Sequence, residues 1–238
     1  MTTAFIAGAT GYTGREVTRA LRARGIETVA HARPGSRALA KVEPLFRELG
    51  ATLDDTPWEQ VALTATLARL RPDVVFALLG TTKARGREAA RRGEDPSAQT
   101  YEAVDYGLSA MLLRAVQAAA LRPRFVYLSS TGVTDGSANP YLAVRARFER
   151  ELRESGIPYT IARPCFITGP DREESRPLER LGALAADGAL GVLGALGGKK
   201  LRDRYRSNDA RTLGASLVRH AFESSSENAV LESESLRA

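Results

Sequence analysis

Gly8, Gly11 and Gly14 stand three residues apart in the run FIAGATGYTGREV, with an apolar stretch before them and an amphipathic one after. This spacing suits a dinucleotide. A first glycine permits a tight turn, a second lets backbone amides approach a pyrophosphate, and a third lets the following helix pack closely on the strand. The amides from Thr10 through Tyr12 and Thr13 to Gly14 then face the phosphates from a helix N-terminus, where peptide dipoles favour negative charge. About twenty residues past such a loop, at the end of the second strand, a carboxylate commonly holds a free ribose 2′-hydroxyl. Here that place holds Arg33. An arginine instead clasps a 2′-phosphate with two charge-assisted bonds, together worth about 2–4 kcal/mol, so the expected cofactor is NADP(H) in preference to NAD(H). Arg37 adds a candidate second contact, and Asp54 or Asp55 is a candidate acceptor for the adenine amino group.

The elements that must position these residues follow from hydrophobic period. Thr3 to Ala7 reads as a buried parallel strand, and Val17, Ala20 and Leu21 repeat at helical spacing just after it. Further strands are expected at Glu27 to Ala32, Ala51 to Leu53, Asp73 to Leu79, Phe125 to Leu128 and Tyr159 to Arg163, with an edge strand at Val230 to Ser233. Helices are expected at Ser36 to Leu49, from Pro57 to Leu70 with Thr56 as cap, over Tyr141 to Glu154, and from Asn208 or Asp209 through His220. Another long helix carries Tyr101, Val104, Leu108, Met111, Leu112, Ala115 and Val116 on one side, after an Arg- and Gly-rich stretch, Gly80 to Ser97, that reads as a mobile turn or cover. This alternation requires an α/β fold, a doubly wound Rossmann parallel sheet with right-handed crossovers. The chain is expected to be one domain over 1–238, whose residues from about 165 onward form a small C-terminal substrate-covering lobe. Ligands in such sheets bind outside the carboxyl ends of the strands, so Gly80, Thr81, Ser129, Ser130 and Thr131 should face the crevice. Tyr141 and Arg145, four apart, share one face of the next helix.

Composition narrows the classes. A chain of 238 residues can bury one good core. Its single cysteine, Cys165, excludes an intrachain disulfide and offers no cluster for a metal, which points to a reducing, cytoplasmic setting. No metal site is expected. The net charge of +6 comes from arginines interleaved with Glu and Ala, as in RARFERELRE, the pattern of solvated helix faces. Without interleaved aromatics for base stacking, nucleic acid is not an expected partner. No stretch is long enough for integral membrane association.

The glycine spacing resembles the extended and atypical branches of the short-chain dehydrogenase/reductase superfamily. That resemblance implies a tyrosine, Tyr141, as general acid or base toward a carbonyl or alcohol, a lysine four residues later that binds the nicotinamide ribose and lowers the tyrosine's pKa, and a Ser or Thr that orients the substrate oxygen. Bringing a phenol from about 10 to about 7 takes roughly 4 kcal/mol of preferential phenolate stabilisation, part of which a fixed neighbouring charge supplies. Within the superfamily, LLGTTKARG, EAVDY, the LSST turn, YLAVRARFE and RPCFITGPDREESRP resemble the Tat-interactive protein 2 family, in the same order, over roughly residues 4 to 180. This implies NADPH held through Thr10 to Thr13, Arg33, Leu79, Gly80, Tyr141, position 145, Ile167 and Arg176. Arg145 stands where that family has lysine, and Cys165 where it usually has glycine. Arginine keeps the charge but brings a planar fork in place of a compact ammonium. The expected function is an NADP(H)-dependent oxidoreductase for a small-molecule carbonyl or alcohol. Its rival is a non-catalytic NADPH-binding regulator with a protein partner. A nucleotide-sugar epimerase or dehydratase, holding NAD, conflicts with Arg33.

Overall fold

The computed structural model describes residues 1–168 and 207–237. Nine strands lie among them: β1 Thr3–Ala7, β2 Glu27–His31, β3 Thr52–Asp54, β4 Val74–Ala77, β5 Arg124–Leu128, β6 Tyr159–Arg163, β7 Ile167–Thr168, β8 Asn208–Asp209 and β9 Ala229–Glu232. Seven of these form one parallel sheet in the order β3-β2-β1-β4-β5-β6-β9, and β7 pairs with β8 separately. Because side chains alternate along a strand, β1 sends Phe5 and Ala7 to one face and Ala4 and Ile6 to the other. Helices α1 Tyr12–Ala23, α2 Leu39–Glu48 and α7 Ala210–Phe222 cover the second face, through Val17, Leu21, Phe46, Leu213 and Leu217. Helices α3 Gln60–Leu70, α5 Ser109–Ala118 and α6 Pro140–Glu154 cover the first, through Leu63, Leu67, Leu112, Leu113 and Phe148. The fold is thus the doubly wound Rossmann sheet. Strand order reverses between β1 and β4, and the crevice for a ligand opens at the carboxyl ends there.

Several expectations are corrected. Thr56 does not cap α3: its hydroxyl meets that of Thr66 at 2.8 Å, and the helix starts later, at Gln60. The stretch from Gly80 to Ser97 is not an irregular turn, since it contains α4, Lys83–Arg91, capped by the Thr82 hydroxyl, which accepts from the Arg85 amide at 3.3 Å. The long helix is two: a π-helical segment, Tyr101–Leu108, leads into α5. The wider turn brings Asp105 inward, fully buried, where the regular helical stripe places Val104. Asp209 does cap α7, accepting from the amides of Arg211 and Thr212 at 3.1 Å each. Residues 207–237 rejoin the Rossmann layers through α7 and β9, so they do not belong to a separate lobe. The run ADGALGVLGALGGKK, expected in that lobe, lies outside the described residues.

Candidate functional site

The glycine loop joins β1 to α1 at the switch point. Gly8 has φ +86°, and a Cβ there would stand 2.5 Å from the Leu78 carbonyl oxygen at the end of β4. The Gly11 amide closes the turn by donating to the Gly8 carbonyl at 3.0 Å. A Cβ on Gly14 would lie 2.2 Å from the same oxygen and 2.7 Å from the Ala9 Cα. Helix and strand therefore approach as closely as backbones can. No side chain caps α1 and no acid stands in its first turn, so the helix end keeps its positive field, and the cradle fits a diphosphate. Thr13 is buried beneath it, and the Tyr12 hydroxyl donates to the Thr168 carbonyl at 3.3 Å, tying the loop to β7, which also carries Ile167. Leu79 is buried beside Gly8, while Arg176 lies outside the described residues.

At the end of β2, the Ala32 amide donates to the Asp54 carbonyl at 2.9 Å, and Arg33 follows it into solvent. Arg37 is paired with Glu94 at 2.8 Å. Asp54 spends one oxygen on the Thr56 amide at 3.2 Å and has Arg69 at 3.9 Å, whereas Asp55 is exposed.

On α6, whose first turn is capped by Asn139, the Arg145 Cζ lies over the Tyr141 ring, 4.7 Å from its centroid. The Tyr101 ring packs edge-on against Tyr141 at 5.2 Å. Arg145 itself is buried and turned into the protein. Its Nη2 donates to Asp105 at 2.6 Å, and its Nη1 to the Leu128 carbonyl at 2.5 Å and the Tyr127 hydroxyl at 3.4 Å. Its Nε, also buried, has no hydrogen-bond partner among the described residues. The second oxygen of Asp105 accepts the Thr81 amide at 3.0 Å. A Cβ on Gly80 would stand 3.2 Å from Nη2 and 3.3 Å from Asp105, so a glycine there admits the ion pair to the end of β4. Burial pushes the Asp105 carboxyl up, against the pull of Arg145 and of the Thr81 amide. Burial opposes the Arg145 charge as well, but Tyr127, Tyr141 and Asp105 outweigh it and hold the guanidinium above its ordinary value. Tyr141 thus has a cation on its ring face, as the four-residue spacing suggested. That cation is neutralised by Asp105, and three of its four Nη hydrogens are committed within the fold.

The three strand-end hydroxyls separate. Ser129 is buried and donates to Glu149 at 2.6 Å, a carboxylate that also binds Arg163 at 2.6 Å and Arg153 at 2.8 Å. Thr131 donates to the Arg163 carbonyl at 2.9 Å. Ser130, half-buried, makes only a long local bond among the described residues, 3.3 Å to the Thr131 carbonyl. Asp105 and Glu149 went unread in the sequence. Glu149 was within reach, because Tyr141, Arg145 and Glu149 repeat at four-residue intervals along α6. Asp105 was hidden by the π-turn.

Residues 8–189 match the model of a family described as NAD(P)H-binding. The chain belongs to that family. Among its relatives is the protein fmp52-1, mitochondrial, of Aspergillus terreus, 28% identical over 184 residues that make up 75% of this chain and 72% of the relative. The proteins named fmp52 in Aspergillus niger and Coccidioides immitis carry the same mitochondrial designation. These relatives overturn the cytoplasmic setting drawn from Cys165. A lack of paired cysteines speaks against disulfides and does not distinguish one reducing compartment from another. Among solved structures, leucoanthocyanidin reductase of Vitis vinifera in complex with NADPH superposes with a TM-score of 0.62 at 17% identity, over 96% of this chain and 67% of that one. UDP-glucose-4-epimerase of Stenotrophomonas maltophila with bound NAD superposes with a TM-score of 0.63 at 16% identity, over 93% and 73%. Both show the fold alone. The narrower resemblance to the Tat-interactive protein 2 family rests on the motifs.

Proposed function

We propose that this NAD(P)H-binding chain is an NADP(H)-dependent oxidoreductase that acts on a carbonyl or alcohol of a small organic molecule. The observation that carries this reading is the Tyr141 ring packed on Arg145, at the same end of the sheet as the glycine loop and against Gly80. The nicotinamide, when bound, supplies or accepts the hydride. The loop amides and the α1 end hold the diphosphate, and Arg33, where a carboxylate would repel it, receives the 2′-phosphate. Ser130 orients the substrate oxygen, since Ser129 and Thr131 are spent on Glu149 and Arg163. The Tyr141 hydroxyl then gives or takes the proton at that oxygen. A positioned proton donor of this kind typically contributes about 10²–10⁴-fold. Tyr141→Phe should therefore bind NADPH like the natural protein while its turnover on a panel of aldehydes and ketones, followed by NADPH absorbance, falls by about that factor. Equal turnover in the two proteins would remove Tyr141 from the reaction.

One observation favours a second reading, a cofactor-dependent regulator without catalysis: the Arg145 fork is bound to Asp105 and Leu128, where the superfamily resemblance implies a lysine on the nicotinamide ribose. A natural chain inert toward the whole panel, yet binding NADPH, supports the regulator. Robust turnover excludes it.

A further inference from the structure

The loop after β2 and the turn after α4 meet through one carboxylate. Glu94 sits where α4 ends, its amide donating to the Ala89 carbonyl at 3.0 Å beyond the left-handed Gly93. From there its Oε1 accepts from Arg37 at 2.8 Å, across 57 residues of chain, and its two oxygens accept from Arg92 at 3.1 and 3.0 Å. Hydrogen bonding to Arg92, with the fields of Arg92, Arg37 and Arg33, holds the Glu94 carboxyl below the usual range. Arg33, just past β2, is the cation to which the 2′-phosphate is assigned above, and Arg37, four residues on, is its candidate second contact. A carboxylate on Arg37 occupies donors that a phosphate would use. The pair is solvent-exposed, and ion pairs of this kind are weak. A phosphate monoester brings up to two charges and three acceptor oxygens, so it exchanges readily for such a partner.

Resting on the NADP(H) reading, we propose that Glu94 is a specificity-determining residue: it occupies Arg37 until the 2′-phosphate takes its place, and the exchange releases the α4 arm from the β2 loop. Arg92 keeps hold of Glu94 throughout, so the carboxylate leaves with the arm. In NADH the 2′-oxygen is a hydroxyl, which cannot displace a carboxylate from a guanidinium. Displacing Glu94 costs NADPH part of its affinity and leaves NADH untouched, so Glu94 narrows the preference that Arg33 and Arg37 set.

The test is calorimetric titration of the full-length chain and of Glu94→Gln with NADPH and with NADH. The variant should bind NADPH about two- to fivefold more tightly and NADH unchanged, and the gain should shrink as salt is raised. In an Arg37→Ala background the gain should vanish, because the two residues act as a pair. Amide hydrogen exchange over residues 83–94 should rise on NADPH but not NADH in the natural chain, and should already be high in Glu94→Gln. Unchanged or weaker NADPH binding by Glu94→Gln overturns the proposal. So does weaker NADH binding, which would make Glu94 a ribose ligand. A natural chain that prefers NADPH, with Glu94→Gln binding both cofactors no differently from it, sinks the Glu94 role alone, whereas a natural chain with no NADPH preference takes the NADP(H) reading down as well.

Discussion

At the scale of single residues, the Arg145–Asp105 pair sets both stability and the character of the site. Each charge is buried, and each satisfies the other at 2.6 Å. Removing one leaves the other uncompensated, which typically costs about 3–5 kcal/mol. Arg145→Met should lose that much in urea unfolding, and Arg145→Met combined with Asp105→Leu should recover most of it. If the single variant is as stable as the natural chain, the pair does not hold the fold. His31 makes a second prediction. It lies between Phe5 and Trp58, with ring centroids at 5.5 and 5.1 Å, and its Nε2 meets the Thr56 carbonyl at 2.8 Å, so that nitrogen carries the proton of a neutral ring. Burial lowers its affinity for a second proton, with the Thr56 bond and the charges of Asp54 and Asp55 opposing in part. As pH falls below the ordinary histidine value of about 6.5, the unfolded chain binds a proton that the folded chain refuses, so stability drops over that window. His31→Gln should flatten stability between about pH 6.5 and 5, in denaturant melts at each pH. Tyr141 and Arg145 were legible as a pair because the sequence spaces them by one helical turn. Asp105 was not, because a π-turn carries no signature in hydrophobic period, and Ser130 was inseparable from Ser129 until the buried Glu149 was seen to claim its neighbour.

At the scale of elements, the strands and the glycine loop were readable because their constraints are local. A run of buried apolar residues with glycine at its end leaves few conformations. Helix α4 was missed for the opposite reason: of its residues only Ala89 is buried, so no apolar stripe marks it among Lys, Arg and Glu. The loop yields a paired prediction. Gly14→Ala must push α1 away from the Gly8 carbonyl, at a cost of about 3 kcal/mol, and should abolish cofactor binding. Gly25→Ala, at φ +69° with nothing within 4 Å of the added methyl, should cost about 1–2 kcal/mol from backbone strain alone and leave binding intact. Thermal unfolding with cofactor titration separates the two. Equal effects would mean that the close approach of α1 does not matter to the site.

At the scale of the whole molecule, the sheet brings four distant stretches of chain to one end: the loop after β1, the Arg33 turn, the Gly80–Thr81 strand end and the first turns of α6. Arginines along the helix faces sit in exposed pairs such as Arg47 with Glu43, as the interleaved sequence suggested. What the sequence could not apportion was the C-terminal third, because no regular alternation of strand and helix patterns links β6 to α7 and β9, which lie in the main layers. The central claim, that this end of the sheet takes a nicotinamide dinucleotide and favours the one with a 2′-phosphate, is tested most directly by calorimetric titration of the purified chain with NADPH and NADH in parallel. The account predicts saturable binding of both, with NADPH at least about tenfold tighter, the share of one lost charge-assisted contact. Heat from neither, or tighter binding of NADH, would contradict it.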